Sequence, residues 1–326
     1  MVEFAVIHNH IGPEAIIAAL YRKDFEEVIR IDEADTNCIL SFAKHYTIDA
    51  RDFEPMFKEK ANTECPPIIA RISNILTTVF ENVANGSHLY IVPDDDLWYI
   101  PWTALQDSHG NFLVDKYYFH IIPSIRVAHL LKLETAQRKD FLQGPFLFVN
   151  PGTTRKSAEE QIELHKIIGN VFHPLEGTAA DVDSFLEEVK KASIVHVVTH
   201  GRKEDNRESV RLTFDGDHEF DPLRLEDSTA PGLRLVTIAA CQSAKAVYCS
   251  DGISGFAGQF WRMKVPSLVL TLWNISDEHT VEFSKQFYTQ LFEKKESPDI
   301  AFGNTVRIVR TKFPFKYWAA FQFWGI

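Results

Sequence analysis

Two short segments, Thr199-His200-Gly201 and Cys241-Gln242-Ser243, carry residue types that together could break an amide bond. Each directly follows an apolar run. A cysteine is nucleophilic as its thiolate, and an imidazole beside it can take up the thiol proton or stabilise the charge. The same imidazole then protonates the leaving amine. Gly201 has no Cβ, so its N–H can approach a carbonyl oxygen closely, and with the N–H of Cys241 it would make an oxyanion hole. Such a donor typically contributes about 3–4 kcal/mol to the acyl-transfer barrier. The excursion from Arg202 to Pro231 is long enough to form a rim. Both segments also have plain readings: a cysteine after an apolar strand is commonly a small buried hydrophobe, and His-Gly is commonly a turn. His196 shares the side-chain parity of His200 but lies inside the run, which predicts a packed, hydrogen-bonded histidine and not a catalyst.

For His200 and Cys241 to meet, the runs before them must be neighbouring strands. Residues 194–198, 235–240 and 267–273 are nearly continuous apolar stretches, which suits strands buried on both faces of a parallel sheet. Residues 146–149 and 171–175 read as further short strands and 319–324 as a last one. Helical spacing at 158–168, 181–191, 253–263 and 278–292 alternates with them. The expectation is a mostly parallel sheet of about six strands covered by helices on both faces, with its site at the carboxyl ends of the strands. In the less periodic first half, 3–8, 89–92 and 119–122 read as strands, and 13–30, 68–83 and 127–133 as helices. The polar stretch ending in Gly144-Pro145 marks a boundary, giving 1–142 as a companion subdomain and 143–326 as the catalytic one.

Composition narrows the function classes. The chain has 326 residues, 45% hydrophobic and 24% charged, which are globular proportions. Its net charge of −11, with no long basic run, argues against nucleic acid or an anionic membrane as partner. No apolar run is long enough to span a bilayer, and the N-terminus lacks the pattern of a secretory signal. Four cysteines without a C-x-x-C spacing point to a reduced, cytoplasmic setting without structural zinc. Asp94-Asp95-Asp96 fits no EF-hand loop and reads as a solvated turn; the aromatics of 313–324 read as a buried strand and its flank, not a base-stacking platform.

At residues 196–201, 238–243 and 272–277, the segments His-Val-Val-Thr-His-Gly, Ile-Ala-Ala-Cys-Gln-Ser and Leu-Trp-Asn-Ile-Ser-Asp closely resemble the three motifs of the CHAT domain family, caspase-like cysteine proteases often attached to tetratricopeptide repeats. The likeness continues through 251–257, 287–291 and 317–321, and in the first half through 91–94, 97–105 and 122–124. It implies a caspase-like α/β fold and peptide-bond hydrolysis, with Cys241 as nucleophile and His200 as the catalytic histidine. No metal or organic cofactor is needed for that chemistry. The implied partners are a protein substrate and an activating protein or repeats in a longer parent chain. The Leu-Trp-x-x-x-Asp pattern resembles that of separases, where an acidic residue in this region is associated with a basic P1 side chain. Asp277 is thereby a substrate-binding candidate, although Asn274 departs from the separase pattern. The other reading of Asp277 is a cap for a helix beginning at Glu278.

Two further readings stay open. One is a catalytically silent caspase-fold scaffold. The other, a thiol oxidoreductase, would need Cys249 as resolving partner. Residues 202–206 and the stretch after Cys241 are expected to be the mobile elements of a partner-regulated protease.

Overall fold

The computed structural model describes residues 1–8, 13–22, 25–48, 65–80, 83–136, 141–202, 210–215, 218–244, 248–249 and 252–326. Among these, eleven strands form one sheet: β1 Val2–His8, β2 Pro13–Arg22, β3 Phe25–Ile31, β4 His88–Val92, β5 Tyr118–Ile121, β6 Phe146–Asn150, β7 Phe172–Glu176, β8 Ile194–Val198, β9 Leu235–Ala239, β10 Ser267–Thr271 and β11 Phe321–Gly325. Their order is β3-β2-β1-β4-β5-β11-β10-β9-β8-β6-β7. The six strands expected in the second half are there, from β11 to β7. The first half adds five more to the same sheet instead of building a separate one. Pairing is antiparallel only at β2/β3, β1/β2 and β10/β11.

The central strands β6, β8, β9 and β10 are buried at every position. That is the burial their unbroken apolar runs demand. From β6 the chain steps outward to β7, then back past β6 to β8, and on through β9 to β10. Right-handed crossovers therefore put helices on both faces and leave a topological switch point between β6 and β8. On one face α4 (Ser157–Ile168) packs against α7 (Asp277–Tyr288), which packs against α8 (Pro298–Val309). α5 (Val182–Glu188), capped by the Asp181 carboxylate on Ser184 N–H, belongs to an aromatic cluster in which Phe185, Phe214, Phe220 and Phe256 of α6 (Gly255–Arg262) make a chain of ring contacts.

The segment 13–30 is not a helix. It forms β2 and β3, paired in register from Ile16↔Ile31 to Arg22↔Phe25, with β2 also paired to β1. Alanines and paired isoleucines give this stretch a helical look, but two strand partners override that local preference. Ala18 and Leu20 are buried while Ala19 is only partly so, which is the two-residue period of a strand. The helices α1 (Glu33–Ile48) and α8 were not expected. The helix expected at 68–83 is α2 (Pro67–Leu76) plus a 3₁₀ turn, with proline at its first position and Ile69, Ile72 and Leu76 on its buried face. α3 (Ile125–Ala136) extends the helix expected at 127–133.

The two halves meet where β5 joins β11 through one bridge, Ile121↔Trp324. Side chains reinforce this thin seam. Trp98, Trp261 and Trp324 contact one another with centroids 5.2–6.2 Å apart. Arg307 of α8 donates to the carbonyl of Val114 at 2.7 Å, and Arg310 holds the Asp115 carboxylate with two bonds of 2.9 and 2.7 Å. No helix of the described residues is long and apolar enough to cross a membrane.

Candidate active site

Three sequence-predicted side chains come together. His200, Cys241 and Asp277 line one narrow recess, with Thr154, Lys156, Glu160, Thr199 and Thr280 among its other walls. The recess opens at the carboxyl ends of β6, β8, β9 and β10, at the switch point. Each side chain is set by a different structural device.

His200 is the second residue past the end of β8. Its backbone is fixed from the far side, because Thr213 N–H donates to the His200 carbonyl at 2.9 Å. Gly201–Arg202 then pairs with Arg211–Thr213, which pairs with Glu219–Phe220, as a small three-stranded sheet above the main one. Thr199 hydroxyl donates to the Thr213 carbonyl and lies 3.0 Å from the Thr153 hydroxyl, tying the loop after β8 to the loop after β6. The His200 side chain itself is exposed at the recess.

Cys241 sits on a turn made rigid from below. Gln242 takes the left-handed conformation, φ +58, which turns the chain sharply after Cys241. Ser243 hydroxyl donates to the Ile238 carbonyl at 3.0 Å and accepts from Thr271 N–H at 2.9 Å, while Thr271 hydroxyl donates to the Ala240 carbonyl at 2.6 Å. The small polar residues Ser243 and Thr271 were not expected to matter; their positions, Ser243 shortly past β9 and Thr271 at the last residue of β10, are the signal that could have found them. Burial is the main influence on the Cys241 thiol and pushes it above the ordinary 9.0. The Asp277 carboxylate raises it further, and a backbone hydrogen bond from Ile275 works the other way.

Gly201 is needed for a reason beyond access for its N–H. A Cβ on it would lie 2.1 Å from the Cys241 carbonyl oxygen and 3.1 Å from Val210 Cγ1. The backbones of the two motifs touch here, and only glycine fits between them.

Asp277 is the first residue of α7, with Ser276 in the N-cap position and making no side-chain cap bond. The capping alternative fails as stated: the helix starts one residue earlier, and the Asp277 carboxylate accepts from Arg155 N–H at 2.9 Å. Its loop is held by Trp273 Nε1, which donates to the Lys316 carbonyl at 2.7 Å, and by His279, whose ring stacks on Tyr317 at 3.7 Å.

His196 is the packed, hydrogen-bonded histidine that its place inside the apolar run predicts. It is fully buried, lies parallel to the Phe148 ring at 5.4 Å, and places Nδ1 3.0 Å from Tyr288 hydroxyl and Nε2 3.0 Å from Glu160 Oε1. Tyr288 hydroxyl donates on to Thr237 Oγ1 at 3.1 Å. Glu160, on α4, was missed in the sequence because nothing in its helix marks it as buried; it is 1% exposed and also lines the recess. This network joins α4, α7, β8 and β9 beneath the site. Tyr288→Phe leaves two buried acceptors or donors unmatched, and a loss of about 1–3 kcal/mol in unfolding free energy is expected, read from the urea midpoint at unchanged m-value.

Asp94 is exposed, as the solvated-turn reading expects. It caps the turn Asp95–Tyr99 and accepts Val6 N–H at 2.8 Å. Residues 203–206, 245–247 and 250–251, parts of the expected mobile elements, lie outside the described residues. Cys249 belongs to a short hairpin, Tyr248–Cys249 with Gly252–Ile253.

A mostly parallel, helix-flanked sheet with its recess at the ends of these strands defines the caspase-like α/β class. The CHAT domain profile matches residues 66–325, and the chain belongs to that family. The match takes in every segment that carried the resemblance, and the first 65 residues fall outside it. Among solved structures, the chain is similar to separase in the Saccharomyces cerevisiae separase–securin complex, with 15% identity, a TM-score of 0.55, and coverage of 73% of this chain and 15% of that one. It is also similar to the Arg-specific cysteine proteinase gingipain R, with 12% identity, a TM-score of 0.55, and coverage of 87% and 75%. A complex of Porphyromonas gingivalis RgpB pro- and mature domains gives 13% identity, a TM-score of 0.54, and coverage of 87% and 76%. At such identities the likeness speaks for the fold. No curated protein matches the chain in sequence.

Proposed function

We propose that the chain is a cysteine endopeptidase of the CHAT type, acting in the cytoplasm on a protein substrate, with residues 143–326 as catalytic subdomain and 1–142 as its companion. The observation that carries this reading is the convergence of Cys241, His200 and Asp277, from three separate segments, on one recess. The resting thiol is raised by burial, so His200 acts as general base during attack and not as partner of a preformed thiolate. The Cys241 proton passes to the imidazole as the sulfur–carbon bond forms, and the carbonyl oxygen becomes an oxyanion held by the amides of Gly201 and Cys241. Collapse expels the amine, which takes the proton from His200. Water, deprotonated by His200, then cleaves the acyl-enzyme and restores the thiol.

Asp277 would receive a basic P1 side chain by a charge-assisted bond. Thr154, whose hydroxyl is buried without a hydrogen-bond partner among the described residues, offers a further polar contact in the same recess. The yeast separase is found in complex with a second protein, securin. By analogy, a protein partner that organises the loops around the recess is the regulation proposed for this chain, alone or within a longer parent carrying tetratricopeptide repeats. The raised thiol favours a second reading, a silent scaffold, which the following tests separate.

An active-site electrophile that labels Cys241 in wild type but not in His200→Ala supports the enzyme. Equal labelling of both, with no cleavage across a positional-scanning peptide library, supports the scaffold. Unchanged cleavage in Cys249→Ser removes the oxidoreductase. Asp277→Asn gives two changes of opposite sense. It removes a negative charge that raises the thiol, so the pH midpoint for iodoacetamide alkylation of Cys241 moves down from a wild-type value above 9.0. It also removes the P1 counter-charge, lowering kcat/KM for Arg or Lys substrates by about 10- to 100-fold. A lower midpoint with unaltered P1 preference would leave Asp277 near the nucleophile but outside the specificity pocket.

A further inference from the structure

Toward the starting ends of the strands, away from the recess, His88 at the start of β4, His120 of β5 and Asp299 in the first turn of α8 point three ligand atoms at one spot. His88 Nδ1 lies 3.0 Å from His120 Nε2 and 3.0 Å from Asp299 Oδ2, and the last two are 3.5 Å apart. We propose that this trio is a binding site for a divalent transition-metal ion of the zinc type, clasping the companion half of the sheet to α8.

Hydrogen bonding alone does not satisfy the arrangement. His120 Nδ1 faces the Gly325 carbonyl at 3.3 Å and donates its proton there, so Nε2 presents a lone pair. The Asp299 oxygen presents lone pairs as well. His88 Nδ1 is equidistant from both, but a neutral imidazole has one N–H there at most, which can point straight at one of them or be shared less favourably between the two. His120 Nε2 and Asp299 Oδ2 are then left facing each other with no proton between. A cation at the centre engages all three lone pairs, with His88 bound as its Nε2–H tautomer, so that no net proton is released.

The dimensions fit. Ligand bonds of about 2.0–2.2 Å in a tetrahedral or octahedral shell place ligand atoms about 3.0–3.5 Å apart, which is the spacing of these three. The Gly325 carbonyl is the outer partner that fixes the orientation of a ligating histidine. Two imidazoles and one carboxylate suit zinc and its neighbours more than calcium or magnesium. Asp299 and Tyr90 also border an open groove, which leaves room for water beside the Asp299 carboxylate. Burial differs among the ligands: the side chain of His120 is 2% exposed, that of Asp299 11% and that of His88 39%, so the ion enters from the His88 side. The Cys241 recess, by contrast, lies past the carboxyl ends of the strands. The ion's role is therefore to hold structure. It bears on the seam, since β5 meets β11 through a single bridge and Asp299 reaches β4 and β5 from the other half of the chain.

The test uses the full chain after chelator treatment and dialysis. Co²⁺ titration is expected to give visible d–d absorption saturating at one ion per chain, bleached by Zn²⁺, and Zn²⁺ is expected to raise the melting temperature. His88→Gln and Asp299→Asn should each weaken Co²⁺ binding by about 100-fold or more and abolish the thermal shift. His88 is exposed enough for its variant to fold as wild type, so it decides the matter alone if Asp299→Asn does not fold. Absence of the absorption band in wild type, or binding and thermal shift unchanged in His88→Gln, overturns the site in favour of a hydrogen-bonded trio. Labelling of Cys241 plays no part in the readout, so this result stands apart from the proteolytic reading.

Discussion

Cys241→Ala is expected to lower kcat/KM for any cleaved peptide by about 10⁴-fold or more, with the fold intact. The side chain removed is small and only partly buried, so little packing goes with it. What disappears is the atom proposed to form the acyl-enzyme. His200→Ala should fall by a similar factor, because a thiol raised by burial then loses its base. The double variant should be no worse than either single one, since nucleophile and base act as a unit. Steady-state kinetics on a peptide from the library, with circular dichroism as control, measures all three. A His200→Ala enzyme retaining a tenth of wild-type turnover would remove the imidazole from the mechanism.

The second large effect belongs to a hydrogen atom. Gly201→Ala places a methyl 2.1 Å from the Cys241 carbonyl oxygen. Neither side can yield cheaply. Gly201 is paired to Leu212 in the small sheet, and the Cys241 turn is locked by Ser243 and Thr271. One of the two backbones must shift, and the amides proposed for the oxyanion shift with it. We expect about 10²- to 10³-fold lower kcat and about 1–3 kcal/mol lower stability. Gly232→Ala is the matched control, because its Cβ would meet nothing nearer than the Ala192 carbonyl oxygen at 3.4 Å. Similar losses in both variants would mean that glycine content, and not the contact with Cys241, sets the effect.

Much of the second half could be read from the chain because its central strands are buried on both faces, which leaves one continuous apolar run per strand and a polar motif after it. His200 and Cys241 stand out by that rule alone, and His196 is separated from His200 by its place inside a run. The first half resisted for the opposite reason. Ile16, Ala18 and Leu20 repeat every two residues, but Ile17 and Ala19 between them are also apolar, so the alternation that marks a strand is blurred and β2 looks helical. Glu160 and Tyr288 are hidden because their helices carry no local sign of a buried polar partner; each acquires its meaning only from His196 across the layer. His88, His120 and Asp299 are far apart in sequence, and no spacing connects them.

The seam between β5 and β11 has a consequence for assembly. A strand at the end of a sheet offers unpaired amides and carbonyls to any other chain. With β5 in place, β11 is an interior strand, and a second copy cannot lengthen the sheet there. The far end, β7, carries Pro174, which has no amide hydrogen to give and blunts that border. Among the described residues the other end of the sheet is β3, which has no proline and whose Val28 stands 69% exposed, so it is the edge more open to another strand.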